Sequence, residues 1–310
     1  MLMEDTGGDQ SPRKSSGQLR GGWTVGIELL DEAPFRTHRQ CGGQLIEFAG
    51  RAPWHLTIMR PHKPIAPRYA DDAGKGDFVR ELFNLSAPYY DRIGRVGFLG
   101  TGHLHRKRAL VSAGLKPGMD VLDVACGTGA VTRAIVEILG GSGRVCGIDP
   151  SDGMIAQARK IEGAGFCLGR AEALPVPDQS FDFLSMGFAL RHVEDLHRTF
   201  AEYHRVLRSG GRLLILEISR PQTRFGFFMS RFYFRDILPA LSWLISGSGD
   251  ARRMMSYYWE TIDACVPPDA ILEAIHAAGF REVNRRVELG IFSAYTGVAG
   301  KQPRINANGR

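Results

Sequence analysis

Val121-Leu122-Asp123-Val124-Ala125-Cys126-Gly127-Thr128-Gly129 is the stretch whose reading decides the fold. An apolar, β-branched run ends in small residues, and Val131, Ile135, Val136, Ile138 and Leu139 then recur at helical spacing. That pattern predicts strand, tight turn, helix. Glycines in the turn let the backbone approach a ligand where a Cβ would clash, and the free N–H groups of the helix start face the same space. Many βα turns carry Gly-x-Gly for steric reasons alone. A second acid, Asp149, closes the next predicted strand, Arg144 to Ile148, about one βαβ half-unit further on. An acid there suits the hydroxyls of a ribose. The expectation is a nucleoside-bearing cofactor, with a purely structural turn as the alternative.

The chain has 310 residues, 44% hydrophobic and 23% charged, which predicts a soluble protein with a substantial core. Its net charge of +6 suits a basic cytosolic protein or one drawn to anionic surfaces such as lipid head groups or nucleic acid. Cys41, Cys126, Cys146, Cys167 and Cys265 fall singly, so neither a disulfide framework nor a zinc site is indicated, and no metal is expected. Residues 1–10 carry Glu4, Asp5 and Asp9 and no apolar segment of the kind a secretory signal has. No apolar run is long enough to span a bilayer. The expected location is cytoplasmic, with a peripheral place at the membrane surface left open.

Taken in order, residues 1–76 lack sustained periodicity and are rich in Gly, Arg, Pro and Ser. They are expected to be a disordered or loosely attached extension outside the core, with short strands at Trp23 to Leu30 and Gln44 to Phe48 and with Met59 an alternative start. From Asp77 a helical stripe begins (Phe78, Val79, Leu82, Phe83, Leu85), and a basic segment with His103, His105, Arg106, Lys107 and Arg108 follows. Together they predict an N-terminal helical cap over the sheet. Strands at 144–148, 165–168, 181–186 and 212–218 alternate with helices at 151–161 and 194–207. Gly210-Gly211 is expected to cap the second of these helices. Residues 221–262 form an aromatic helical insertion interrupted by arginines: a buried insertion, or a lid over an apolar pocket or membrane surface. Pro267-Pro268-Asp269 opens another helix, 282–288 and 291–299 close the domain as an antiparallel pair, and 300–310 is a loose tail. The fold class is α/β: a doubly wound, mostly parallel seven-stranded sheet with a domain at 77–299.

The acid within the first motif, Asp149, the insertion and the two closing strands resemble the class I methyltransferases that use S-adenosylmethionine. Arg205-Val206-Leu207-Arg208-Ser209-Gly210-Gly211-Arg212 continuing to Pro221 is similar to the second signature of the ubiquinone and menaquinone C-methyltransferases, the UbiE type. Ala171-Glu172-Ala173-Leu174-Pro175, Gly187-Phe188-Ala189-Leu190-Arg191, and Tyr257 to Ile262 with Pro267 also follow that family. The resemblance spans roughly residues 78–299. Tyr90-Asp91 matches the start of the first signature, but Ile93-Gly94 replaces Met-Asn and a Trp is missing. Ser209 replaces a Pro or Gly, and His192 stands for an Asn. Arg170 takes the place of an adenine-bonding Asn or Asp, and Gly187 that of a cofactor-contacting Ser.

The resemblance implies cofactor contacts at Asp123, Ala125, Gly127, Thr128, Gly129, Asp149, Met154, Arg170, Ala171 and Gly187. It also implies an acceptor pocket walled by Tyr90, Tyr257 and Tyr258. Arg191 would hold a phenolate oxygen unless an ion pair with Asp182 or Glu194 occupies it, and His192 would take the proton unless it is a satisfied turn residue. The implied activity is S-adenosylmethionine-dependent C-methylation of a prenylated quinol or related lipophilic phenol. Alternatives are O- or N-methylation of another small molecule or a phospholipid, or a cofactor-binding module without turnover, suggested by Arg170 and Gly187. The expected partner is a lipophilic small-molecule acceptor. A homo-oligomer is open, and nucleic acid is not expected because no motif for a flipped base is present.

Overall fold

The computed structural model describes residues 58–65, 68–69, 73–98 and 100–301, and the backbone of four short strands nearer the amino terminus. Of those four, β1 (Gly17–Leu19) pairs antiparallel with β2 (Trp23–Val25), and β3 (His38–Cys41) with β4 (Gln44–Glu47). The strands expected at Trp23 and Gln44 are shorter than predicted, and each has a hairpin partner that the sequence pattern did not reveal. The other residues of the expected extension up to residue 57, and the tail beyond 301, lie outside the described residues.

In the larger unit, α1 (Ala73–Gly97) and α2 (Gly102–Ser112) precede the alternating core. That core runs β5 (Asp120–Val124), α3 (Ala130–Leu139), β6 (Arg144–Asp149), α4 (Asp152–Ala158), β7 (Gly165–Leu168), β8 (Phe181–Gly187), α5 (Leu196–Val206) and β9 (Leu207–Ile218). The insertion comprises α6 (Arg224–Arg231), one wide π-helical turn (Phe232–Ile237), α7 (Leu238–Ser246) and α8 (Gly249–Ala264). Helix α9 (Pro268–Ala277) and strands β10 (Phe280–Glu288) and β11 (Phe292–Ala299) complete it. The sheet order is β10-β11-β9-β8-β5-β6-β7, parallel from β9 to β7 and antiparallel at β11 and β10. This is the expected doubly wound, seven-stranded sheet.

Period two on the central strand explains the layers. Val121 faces α3, with Val131, Ala134 and Ile135, while Leu122 and Val124 face α5, with Leu196, Phe200 and Tyr203. Because both faces of β5 are covered, its sequence after Asp120 is apolar except for Asp123. Strand order reverses between β5 and β8, the point at the strands' carboxyl ends where the ligand crevice of a doubly wound sheet lies.

Two expectations need correction. Met59 and Pro61, expected to lie outside the core with the rest of residues 1–76, are bonded to it. Met59 N donates to Asp195 Oδ1 (3.2 Å) and Leu196 N to Met59 O (2.8 Å), while Val266 N donates to Pro61 O (2.8 Å). Tyr69 packs against Phe78 and Tyr257. A segment held by backbone bonds to distant elements has no periodicity to betray it. The second correction concerns Gly210-Gly211. Helix α5 ends at Val206 with Leu207 already extended, and Gly210 (φ 83°) lies within a register shift of β9, where Phe181 pairs Leu207 but Phe183 pairs Arg212. The glycine turns a bulge in the strand and does not cap the helix.

Asp195 both caps α5, accepting from His197 N (3.0 Å), and anchors Met59. Asp195→Ala should cost about 1–2 kcal/mol in urea unfolding, with faster hydrogen exchange at the Met59 amide. Unchanged exchange there would mean that the segment is held elsewhere.

Candidate active site

The crevice floor is the β5–α3 turn. Ala125 (φ 51°) and Phe188 (φ 62°) both adopt left-handed backbone, one at the end of β5 and the other just past β8. Such a conformation costs a non-glycine residue about 1–3 kcal/mol and gathers at functional sites. Between them Gly127 (φ 57°) turns the chain, and a Cβ on it would meet no atom within 4 Å. The turn therefore has open space above it. At Gly129 (φ 84°) a Cβ would strike Ile161, so this glycine serves the packing of α3.

Asp149 binds this turn to the next. Its Oδ2 accepts from Gly127 N (2.8 Å) and its Oδ1 from Ser151 N (2.9 Å). A carboxylate has about four acceptor positions, so two remain for a diol. Burial, opposed by these two bonds, raises its pKa to about 6. Ser151 Oγ accepts from Met154 N (3.1 Å), the expected helix cap, which fixes the buried Met154 beside Asp149. Asn84 on α1 completes the corner, its Oδ1 accepting from Ser151 Oγ (2.6 Å) and Gly153 N (3.0 Å). Asp91, also on α1, accepts from the hydroxyl of the buried Thr128. The cap thus latches directly onto the cofactor turn. Neither Asn84 nor Asp91 was singled out from sequence, although Asp91 belongs to the Tyr-Asp pair of the first signature.

Three expected cofactor residues take different parts. Asp123 is fully buried, and Thr132 Oγ1 (2.6 Å) and Ser185 Oγ (2.7 Å) take its two oxygens. It joins β5 to α3 and β8 beneath the turn and has no face toward the crevice. Burial raises its pKa to about 6 as well, against both hydroxyls. The Arg170 guanidinium pairs with Glu194 and lies 3.8 Å from Glu172. Gly187 is small because a Cβ would come within 2.6 Å of Val131 Cγ2, which explains the absence of the family's Ser. Ala171 is buried just past the end of β7.

On the other side of the crevice stands Arg191, in a short 3₁₀ turn (Leu190–His192) after β8. It is fully buried, and neither expected ion partner holds it. Asp182 pairs with Arg208 and Glu194 with Arg170. Its partner is Glu217 on β9, bound through Nη1, with Phe188 O also on Nη1 (3.0 Å) and Thr261 Oγ1 on Nε (3.0 Å). The guanidinium carbon sits 4.0 Å above the Tyr258 ring. Nη2 is buried and meets no acceptor at hydrogen-bond geometry among the described residues, its guanidinium interacting with the Tyr258 side chain. Tyr90, whose phenol is pushed up by burial and by Tyr258, lies within electrostatic reach of both Arg191 and Arg106. Arg106 extends from α2 over Phe188, its Cζ 5.6 Å from the ring centroid. Glu217, Thr261 and Arg106 lie in stretches quoted from sequence, but nothing there tied them to Arg191.

His192 does not suit the base expected of it. Its ring is stacked on Tyr257 (5.6 Å, 25°) and meets the edge of Phe83 (5.3 Å), and neither nitrogen has a hydrogen-bond partner among the described residues. Burial, then Arg191, Lys75 and His62, push its pKa well below the usual histidine value. Proton uptake would set a cation among cations. Elsewhere on the cap, His103 and Lys107 pair with Glu137 (3.1 and 3.2 Å) and His105 with Glu288 (3.0 Å), so the basic face of α2 pins the cap to α3 and β10.

The sheet order, the strained glycine turn and the acid at 149 define a class I S-adenosylmethionine-dependent methyltransferase. The residues fit the cofactor: open space over Gly127, two vacant acceptor positions on Asp149, and a buried alanine at 171. The chain matches the ubiE/COQ5 methyltransferase family over residues 71–299, and it belongs to that family. It is 33% identical over 241 residues to a demethylmenaquinone methyltransferase of Symbiobacterium thermophilum, covering 74% of this chain and 95% of that one. With the ubiquinone/menaquinone biosynthesis C-methyltransferase UbiE of Geobacter sulfurreducens it shares 34% over 235 residues, 73% of this chain and 90% of that one. Among solved structures, an S-adenosylmethionine-dependent methyltransferase of Thermotoga maritima is similar (TM-score 0.51, 21% identity, 71% of this chain and 99% of that one). So is the cyclase SpnF (TM-score 0.54, 16% identity, 73% and 97%). That a cyclase shares the fold shows that the fold alone does not set the reaction.

The site makes cofactor affinity depend on an ionised Asp149. Asp149→Ala should weaken S-adenosylmethionine binding about tenfold to a hundredfold by calorimetry, the worth of one or two charge-assisted bonds. Wild-type affinity should also fall as pH drops through about 6, where the carboxylate takes its proton. Stability should move the opposite way. The native acids at 123 and 149 hold protons that the unfolded chain has released, so their contribution is present at low pH and lost as pH rises through about 6.

Proposed function

We infer that the acceptor is a prenylated quinol, methylated at a ring carbon in ubiquinone- or menaquinone-type biosynthesis. The observation that carries this reading is the buried Arg191, fixed by Glu217 and Thr261, with one guanidinium nitrogen that meets no acceptor at hydrogen-bond geometry among the described residues. The activities for which the two relatives are named support it. S-adenosylmethionine, when bound, supplies an electrophilic methyl group.

A ring carbon becomes nucleophilic when the hydroxyl beside it is a phenolate. Arg191 stays charged at any working pH, and a cation at hydrogen-bond distance lowers a neighbouring acid's pKa by about 1–3 units. That shift brings a phenol from about 10 toward neutral pH without a protein base. The vacant Nη2 gains its missing acceptor when the phenolate arrives. An unsatisfied buried donor costs about 1–3 kcal/mol, so the site favours the ionised acceptor over an empty pocket. Glu217 balances the resting charge and, with Thr261, keeps the guanidinium from turning away. The cap tyrosine Tyr90 and the α8 pair Tyr257 and Tyr258 serve as walls, and the flat, neutral ring of His192 joins them. Alignment of acceptor carbon and methyl group supplies the remainder. Such an acceptor resides in a bilayer, so the enzyme works at a membrane surface.

Purified protein given methyl-labelled cofactor and a prenylated quinol should place the label on a ring carbon of an organic-extractable product. Label confined to water-soluble products would overturn the assignment. Arg191→Lys should lower kcat by about 10²-fold or more, as loss of one preorganised donor does, with thermal melting run alongside because the ion pair is buried. His192→Asn should leave kcat nearly intact. A drop of about 10²–10⁴, the worth of a general base, would restore His192 to that role.

A further inference from the structure

An amphipathic helix on a globular domain ordinarily turns its apolar stripe inward. Helix α6 does the reverse, for none of its eight residues is buried. Phe225, Phe228, Met229 and Phe232 recur at spacings of three, one and three, so they share one face, and Phe225 and Phe228 are 76% and 63% exposed. Further along the insertion Trp243 is 54% and Leu244 74% exposed. Large aromatic side chains left in water on a single element mark a contact surface. Arg224 and Arg231 bracket the α6 stripe, exposed and without a carboxylate partner among the described residues. Between residues 221 and 248 the sequence has three arginines, Arg224, Arg231 and Arg235, against one acid, Asp236.

We propose that this ridge is the docking surface for a bilayer containing anionic lipid, with Phe225, Phe228, Phe232 and Leu244 entering the acyl region and Arg224 and Arg231 at the head groups. Charge decides the occupant. A second copy packed symmetrically on the same patch would set arginine against arginine, whereas an anionic head-group layer satisfies both the cations and the aromatic stripe. The place of the ridge fits the lipophilic acceptor, and this part rests on the proposed quinol substrate. Within one π turn Phe232 points out, while Phe234 is 2% exposed and stacks on Tyr258 (6.3 Å, 28°), the ring beneath Arg191. The membrane contact is therefore one side chain removed from the acceptor pocket, so a head group is lifted only a short way while its tail stays in lipid.

The test uses the full chain and vesicles that contain no quinone. One set is phosphatidylcholine alone, and the other is equimolar phosphatidylcholine and phosphatidylglycerol. The protein should co-sediment with the anionic set and far less with the neutral one. Binding should weaken about tenfold or more in the triple variant Phe225→Ser, Phe228→Ser, Leu244→Ser and in Arg224→Gln with Arg231→Gln. Cofactor affinity measured on the same preparations should stay at the wild-type value, which confirms that the variants fold. Trp243 emission should shift to the blue on anionic vesicles and be quenched by brominated acyl chains, and the Trp243→Phe variant should lack both changes. Absence of vesicle binding, or binding indifferent to the triple variant, overturns the proposal. So does a dimer in sedimentation equilibrium that the triple variant dissociates, since the ridge then belongs to a second copy. Because no acceptor is present, failure of the quinol assignment would leave these readings unaltered.

Discussion

The Asp149 carboxylate, accepting from Gly127 N and Ser151 N, ties two neighbouring βα turns into one floor. The rest of the site is built outward from that tie. It fixes the glycine turn, on which the cap helix α1 then closes through Asp91 and Asn84. Burial works against the charge and the hydrogen bonds work for it, and a pKa of about 6 shows the two nearly balanced with burial ahead. Asp123 stands in the same balance one layer down, where Thr132 and Ser185 play the part of the backbone amides. Two acids under one crevice make its floor electronegative at neutral pH, which suits a cationic sulfonium, and they need no mobile group to do so.

The acceptor side is organised by a second buried charge of opposite sign. Arg191 comes from the end of β8, Glu217 from β9 and Thr261 from α8, so three parts of the chain must be in place before the guanidinium is held. A buried pair of this kind adds little net stability against an apolar substitute, and removing one partner costs about 3–5 kcal/mol. What it provides is a fixed, permanent cation with one donor unspent. Burial, and then the charge of Arg191, keep the imidazole of His192 neutral.

The insertion combines both environments in one stretch of aromatic sequence. Its second part, α8, is buried through Met254, Tyr257, Tyr258 and Trp259, while α6 presents its phenylalanines to solvent. In the wide turn that follows α6, Phe232 and Phe234 stand two residues apart and so face opposite ways, one exposed and one buried. Arg170 and Gly187, which in sequence suggested a damaged cofactor site, are explained by local packing: one is held by Glu194 and Glu172, the other is crowded by Val131. Neither leaves the crevice without a part it needs.

The sheet, its helices and the cofactor turn were legible from residue order because local periodicity and the glycine-acid spacing are properties of neighbours along the chain. The glycine turn with Asp149 beside it could be read as a structural unit in this way, as could the closing antiparallel pair. The partner of Arg191 could not, since Glu217 and Thr261 lie 26 and 70 residues away and sequence offered nearer acids at 182 and 194. The docking of Met59 and Pro61 escaped because backbone hydrogen bonds leave no trace in side-chain pattern. Nor could the spacing of α6 disclose its outward stripe, for a helical period states that one face is apolar and not which way that face points. Chain order alone determined the architecture and the cofactor's place. Only the tertiary structure decided which charges are paired, which histidine is neutral and which apolar face meets solvent, because burial and distance between remote residues exist only once the chain has folded.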